Sequence, residues 1–170
     1  MSRYRIVPER SRIWVEATSS LHPIHAETTG LKGYLDAEIV DGRIADGTPV
    51  SGRVEIDADR LRTGNGLYDN ELERRLEVRK YPVIRGTVGA VQPQGDGNRY
   101  RVSGELEFHG VARPVEGEVT LRALDGGRLE IEGERSFDVR DHGLEPPRLL
   151  MLKVHPDVRV RGLVVAEREG

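Results

Sequence analysis

Apolar and polar residues alternate with a period of two through segment after segment of this chain, and that pattern constrains its fold more than any other feature. Successive side chains on a strand point to opposite faces, so strict alternation marks a strand with one buried and one wet face. Ile13, Val15 and Ala17 share one face, against Arg12, Trp14 and Glu16 on the other. Val50, Gly52, Val54, Ile56 and Ala58 alternate with Ser51, Arg53, Glu55 and Asp57. Ile84, Gly86, Val88 and Ala90 form one face of residues 83–91; Tyr100, Val102, Gly104, Leu106 and Phe108 form one face of residues 100–108. Val115, Gly117, Val119 and Leu121 follow, then Leu129, Ile131 and Gly133, then Phe137 and Val139, and finally residues 154–166. With residues 31–39, this reads as about eight antiparallel strands. Short polar turns join them, among them Asp41-Gly42, the 95–98 turn and Asp125-Gly126-Gly127.

One segment departs from the alternation. Residues 67–80 carry Leu67, Leu72, Leu76 and Val78 among Glu and Arg, between Gly64-Asn65-Gly66 and Tyr81-Pro82. Proline forces its predecessor out of helical backbone, so the spacing predicts one helix of roughly three turns there. It falls between the fourth and fifth strands. His22 and His25 are expected in a loop between the first two strands. No internal repeat or linker interrupts residues 1–170, which read as one domain.

Composition narrows the partners. Charged residues are 32% and apolar ones 36%, with both signs interspersed and a net charge of -3. No basic patch stands out, so nucleic acid is not an expected partner. With no cysteine, neither a disulfide nor a thiolate metal site can form. The first dozen residues show no apolar signal-peptide core, and no run approaches the eighteen or so apolar residues of a membrane span. A cytoplasmic protein without stable membrane insertion is the expectation.

Strands with one apolar face must bury it on a second sheet or in their own curled interior. Glycine among the inward residues (Gly52, Gly86, Gly104, Gly117 and Gly133) favours curling. A strand glycine costs about 0.5–1 kcal/mol relative to alanine and is tolerated at sharp bends or close approaches. An all-β, antiparallel, eight-stranded up-and-down barrel follows, its interior just wide enough to be filled by side chains or to hold one small ligand. Ile13, Val15, Val54 and Ile56 are expected to line that interior, with Ile84, Val88 and Val102. Leu106, Phe108, Val119 and Leu121 complete the set. The small inward residues, including Ala17, Ala58 and Ala90, favour a hollow interior over a solid one.

Six stretches in order give the chain a resemblance to a known family. They are residues 4–15, Gly30 to Leu35, Gly52 to Ala58 with Thr63-Gly64, Lys80 to Ile84, the long stretch from Val102 to Val115, and Asp141-His142-Gly143-Leu144. Together they resemble the YceI-like family of lipocalin-like, polyisoprenoid-binding proteins. That resemblance implies an extended eight-stranded barrel around a long isoprenoid chain or similar lipid. Gly86 stands where the family usually carries a large aromatic after the Tyr-Pro turn, and residues 145–148 form a charged, proline-bearing insert.

Catalytic signatures are missing: there is no Gly-x-Ser-x-Gly elbow, no His-Glu-x-x-His and no phosphate-binding glycine loop. His22 and His25 would need a third ligand to hold a metal, and Pro23 works against a helix that would aim them together, so no metal is expected. His109, at a hairpin turn, and Arg113 are the candidates for contact with a ligand's polar head; Arg140 and Arg148 could pair with an anionic one. The expected function is non-catalytic binding, sequestration or carriage of a long-chain apolar ligand such as a polyisoprenoid, an isoprenoid quinone or a fatty-acid-like lipid, with no cofactor. A histidine-dependent enzyme in the same pocket and a solid, ligand-free interaction module are the alternatives. Trp14 and Leu67-Tyr68, expected to be exposed, would serve a homodimer.

Overall fold

The computed structural model describes residues 1–95, 97–146, 148–149 and 152–170, without the side chains of Arg148 and Leu149. Asp96 of the 95–98 turn, and Pro147 with the Arg148 side chain of the insert, therefore lie outside the described residues. The first strands are β1 (Ser2–Ile6), β2 (Arg12–Ser19), β3 (Ile24–Thr29), β4 (Lys32–Ala37), β5 (Ile39–Val40), β6 (Arg43–Ile44) and β7 (Ser51–Asp57). Helix α1 (Gly66–Leu76) follows, then β8 (Val83–Pro93), β9 (Arg99–Phe108), β10 (Val111–Leu124) and β11 (Arg128–Asp138). The short β12 (Arg148–Leu149) and the long β13 (Leu152–Arg168) end the chain.

Every pairing is antiparallel, and the order β4-β7-β8-β9-β10-β11-β13 is a simple meander. β1 closes it by pairing with both β4 and β13, with Tyr4 opposite Leu35 and Arg168. The result is an eight-stranded up-and-down barrel in which β1–β2 and β3–β4 each count as one bent strand. The first bend is the 3-10 turn Pro8–Arg10, where Pro8 fits a helical first turn and ends the ladder. The second is at Gly30, whose φ of +80° suits glycine and whose N–H donates to the Pro8 carbonyl at 3.0 Å. Ser11, fully buried, repairs the ladder at the first bend. Its hydroxyl donates to the Val7 carbonyl at 2.9 Å and accepts from the Val165 N–H at 3.0 Å.

The barrel is filled at one end. Tyr4, Tyr100, Leu121, Leu129 and Ala166 form a core there, with Leu35, Val91, Val119 and Ile131 against it. The β5–β6 hairpin covers that end through Ile39 and Ile44, and the Tyr100 hydroxyl accepts from the Ile44 N–H at 3.1 Å. The other end is closed by a smaller cluster of Ala17, Ile24, Leu152 and Val154, on which Tyr68 of α1 packs.

Several expectations need correction. His25 lies on β3, not in a loop: Ile24, Ala26 and Thr28 do alternate, but their apolar content is too low to stand out. Ala90 is not inward. The β8–β9 register shifts between Val88 and Ala90, so Val91 faces the core and Ala90 the solvent. The helix ends at Leu76 because Glu77 turns left-handed (φ 50°), and it links the third barrel strand, β7, to the fourth, β8. Asn65 caps its start by accepting from the Leu67 and Tyr68 N–H groups at 3.0 and 3.2 Å.

Charge pairs stud the outer wall. Two hydrogen bonds of 2.8 Å from Arg3 hold the Asp36 carboxyl below the usual aspartate range; Arg74 with Arg75 does the same for Glu71, and Arg140 for Asp138. Carboxylates with lowered folded-state pKa values stabilise the fold at neutral pH and lose that contribution on protonation. The melting temperature should therefore fall progressively below about pH 4.5, by a modest amount because these pairs are exposed. Potassium chloride at high concentration should weaken the same contribution.

A methyl group on Gly104 would sit 1.8 Å from the Thr87 carbonyl oxygen, so β8 and β9 touch backbone to backbone there. Gly104→Ala should destabilise the protein by about 3 kcal/mol or more in denaturant titration. A loss below about 1 kcal/mol would contradict this close approach.

Candidate functional site

Between the two packed ends lies a chamber of about 310 Å³. Ile13 and Val15 of β2, Val54 and Ile56 of β7, Ile84 of β8, and Leu106 and Phe108 of β9 line it. Val88, Val102, Val119 and Leu121 do not. Leu121 is part of the filled end and Val119 packs on it, while Val88 lies opposite Gly52 and Gly104 where the interior narrows. Val102 faces Val91, one of the residues packed on the filled end. Alternation fixes the face of each residue but not its height in the barrel.

The space is there because small side chains stand where large ones would meet. A methyl placed on Gly86 finds nothing within 4 Å, the opposite of Gly104. Gly86 lies between Val54 and Leu106 in the wall, and all three border the chamber. One inward glycine thus admits a neighbouring backbone, and another leaves room.

Beyond Ile24 and Ala26 of β3, and Leu61 with Thr63 before α1, two further parts of the lining are missed by alternation. Leu72 and Leu76 of α1 roof the chamber; their i, i+4 spacing marks one helix face. His142 and Leu144, buried residues of the late loop, enter from the 3-10 turn Val139–His142 and the segment after it. That turn fills a wedge where β10 and β11 part. Their pairing runs only from Val119–Gly133 to Leu124–Arg128, although both strands continue well beyond.

The expected head-group residues are placed differently. Neither His109 nor Arg113 lines the chamber. Arg113 donates from Nε to the Asp141 carbonyl at 3.0 Å. His109 sits in a two-residue turn with Gly110 (φ 53° and 74°), its ring edge-on to Tyr81 at 4.9 Å. Its Nε2 lies 2.8 Å from the Glu77 carboxylate and its Nδ1 3.3 Å from the His142 carbonyl. Both partners are acceptors, so the ring faces an acceptor at each nitrogen. His109 is a latch between the end of α1 and the loop that carries His142.

The remaining candidates are engaged elsewhere. Arg140 forms a fork with Asp138 at 2.7–3.2 Å, and the Arg148 side chain lies outside the described residues. His22 Nδ1 contacts the Pro23 carbonyl at 2.9 Å, His25 lies 3.5 Å from Glu16, and no cluster of metal-ligating groups occurs among the described residues. The surface suggested for a dimer is smaller than the sequence implies: Leu67 is exposed, but Tyr68 packs into the upper cluster and Trp14 is half-buried beneath the Arg161 guanidinium at 4.2 Å. A wider groove of about 930 Å³ lies on the outside of this wall. It mixes Glu16, Glu27 and Glu134 with Arg159 and Arg161, the mark of a solvated face. No helix of the described residues is long and apolar enough to cross a membrane.

Comparison with known proteins agrees with this architecture. The family model of the YceI-like domain matches residues 4–166. BcnA of Burkholderia cenocepacia superposes with a TM-score of 0.80 at 18% identity, over 94% of this chain and 98% of that one. A polyisoprenoid binding domain from Saccharophagus degradans, implicated in plant cell wall breakdown, gives 0.78 at 16% identity, over 99% and 100%. The Campylobacter jejuni YCEI protein gives 0.68 at 14% identity, over 86% and 85%. At such identities the likeness establishes the fold. No curated protein matches the sequence.

His109→Ala should cost about 1–2 kcal/mol by removing both contacts of the latch. Amide exchange should quicken at residues 77–81 and 139–144 together. Faster exchange in only one of these segments would mean that His109 does not join them.

Proposed function

The chain belongs to the YceI-like family, and from that premise we propose that it binds and carries an apolar ligand in the chamber without altering it chemically. The observation that carries this reading is the chamber itself: walled by strands and α1, and lined by aliphatic and aromatic side chains except for Thr63, His142 and His155. No Lys or Arg is among its lining residues. Thr63, the one hydroxyl in the lining, is committed to Asp69 at 2.8 Å. Apolar cavities favour hydrocarbon over ordered water. The polyisoprenoid binding domain among the structural relatives supports an isoprenoid as the class of ligand.

Volume sets the scale. At roughly 30 Å³ per non-hydrogen atom, about the share of a water in the liquid, 310 Å³ holds on the order of ten such atoms. A chain of about ten carbons fits; a longer lipid would have to leave part of itself outside the chamber. Burying ten methylene-sized groups contributes on the order of 8 kcal/mol before the cost of immobilising the ligand. Micromolar or weaker binding is therefore expected.

Organic extraction of the purified protein followed by mass spectrometry should recover a lipid, and titration with geraniol should show saturable one-to-one binding. Gly86→Leu fills the open space without meeting a neighbour within 4 Å of its Cβ. This variant should remain folded with an unchanged melting temperature and lose geraniol binding at least tenfold. Unaltered binding in the folded variant would place the ligand elsewhere.

A further inference from the structure

Two of the three polar side chains that line the chamber are accounted for. The Thr63 hydroxyl donates to Asp69, and His155 is exposed at the rim, with its Nδ1 3.1 Å from the Thr18 hydroxyl. His142 differs. It is only 4% exposed, and its Nε2 lies 3.3 Å from the Leu106 carbonyl oxygen. A carbonyl oxygen only accepts, so Nε2 carries the proton, and in the neutral ring Nδ1 then presents a lone pair. Nδ1 has no hydrogen-bond partner among the described residues. It is also not a polar atom sealed inside protein without a partner, as Arg128 Nε is. It therefore borders open space, and the space beside His142 is the chamber.

The ring is held in that attitude from several sides. His109 grips the His142 carbonyl, Gly143 caps the turn with φ 71°, and the imidazole stands edge-on to Phe108 at 5.6 Å. An acceptor fixed in an apolar chamber makes a chemical demand, because a buried polar group left without a partner is costly.

We propose that His142 Nδ1 is the chamber's recognition point and that it selects a ligand bearing a hydroxyl group, an apolar alcohol of about ten carbons. The inference rests on the carrier reading above and specifies its ligand. A hydroxyl donates to Nδ1 while its chain lies against Ile84, Leu106 and Phe108. An ether or ketone oxygen at the same place sets lone pair against lone pair. An anionic head does so with a full charge, and the lining offers no Lys or Arg to neutralise it.

The test uses three probes on one carbon skeleton: geraniol, geranyl methyl ether and geranic acid, titrated calorimetrically at pH 8. Geraniol should bind about tenfold tighter than the ether, the worth of one well-placed hydrogen bond. Geranic acid should bind weakest. In His142→Phe the preference for alcohol over ether should vanish. Histidine-ring nitrogen NMR of the unsubstituted protein should show His142 protonated at Nε2, with the Nδ1 resonance moving when geraniol is added; this readout stands even if the variant fails to fold. Equal binding of alcohol and ether, tightest binding of the acid, or a preference that survives in the variant each overturns the assignment and leaves the carrier reading intact. Binding of none of the three removes the carrier reading, and this inference falls with it.

Discussion

The width of an eight-stranded barrel governs everything else in this structure. Such a barrel encloses a column only wide enough for its own side chains or for one slender guest. At each level the inward residues must therefore either meet across the axis or leave a gap. At the closed end Tyr4 and Tyr100 reach the axis together with Leu121 and Leu129. Between that end and the smaller cluster at the other, the wall passes through Gly86, and the side chains around it do not meet. The same meander is thus solid at its ends and hollow between them.

The hollow needs a roof and a fixed rim, and both come from outside the alternating strands. Helix α1 supplies Leu72 and Leu76, and the late 3-10 turn supplies His142. His109 binds the two together, with one ring nitrogen on Glu77 at the helix end and the other on the His142 carbonyl. The left-handed backbone at Glu77, unusual for a residue with a side chain, accompanies a carboxylate placed 2.8 Å from His109 Nε2. His109, which the sequence marks as a head-group contact, lies outside the chamber lining and holds the backbone of His142, which is part of it.

Much of the fold is legible in the sequence because a period of two is a local property. Ile13 with Val15, Val54 with Ile56, and Leu106 with Phe108 all point inward as their spacing requires. Height along the axis is not local. It depends on strand stagger and on the register shift at Gly89, so nothing in the residues themselves separates Val102, beside the filled end, from Leu106 in the chamber. β3 escapes notice because threonine and alanine make a weak apolar face. His142 escapes because its inward aim follows from the parting of β10 and β11, a feature of long-range pairing.

The most direct test of a half-hollow barrel is a crystal of the ligand-free protein pressurised with xenon, which occupies dry apolar cavities. Xenon density should appear beside Gly86, Leu106 and Phe108, and none should appear among Tyr4, Tyr100 and Leu121. An interior without xenon, with side chains meeting across the level of Gly86, would contradict the account.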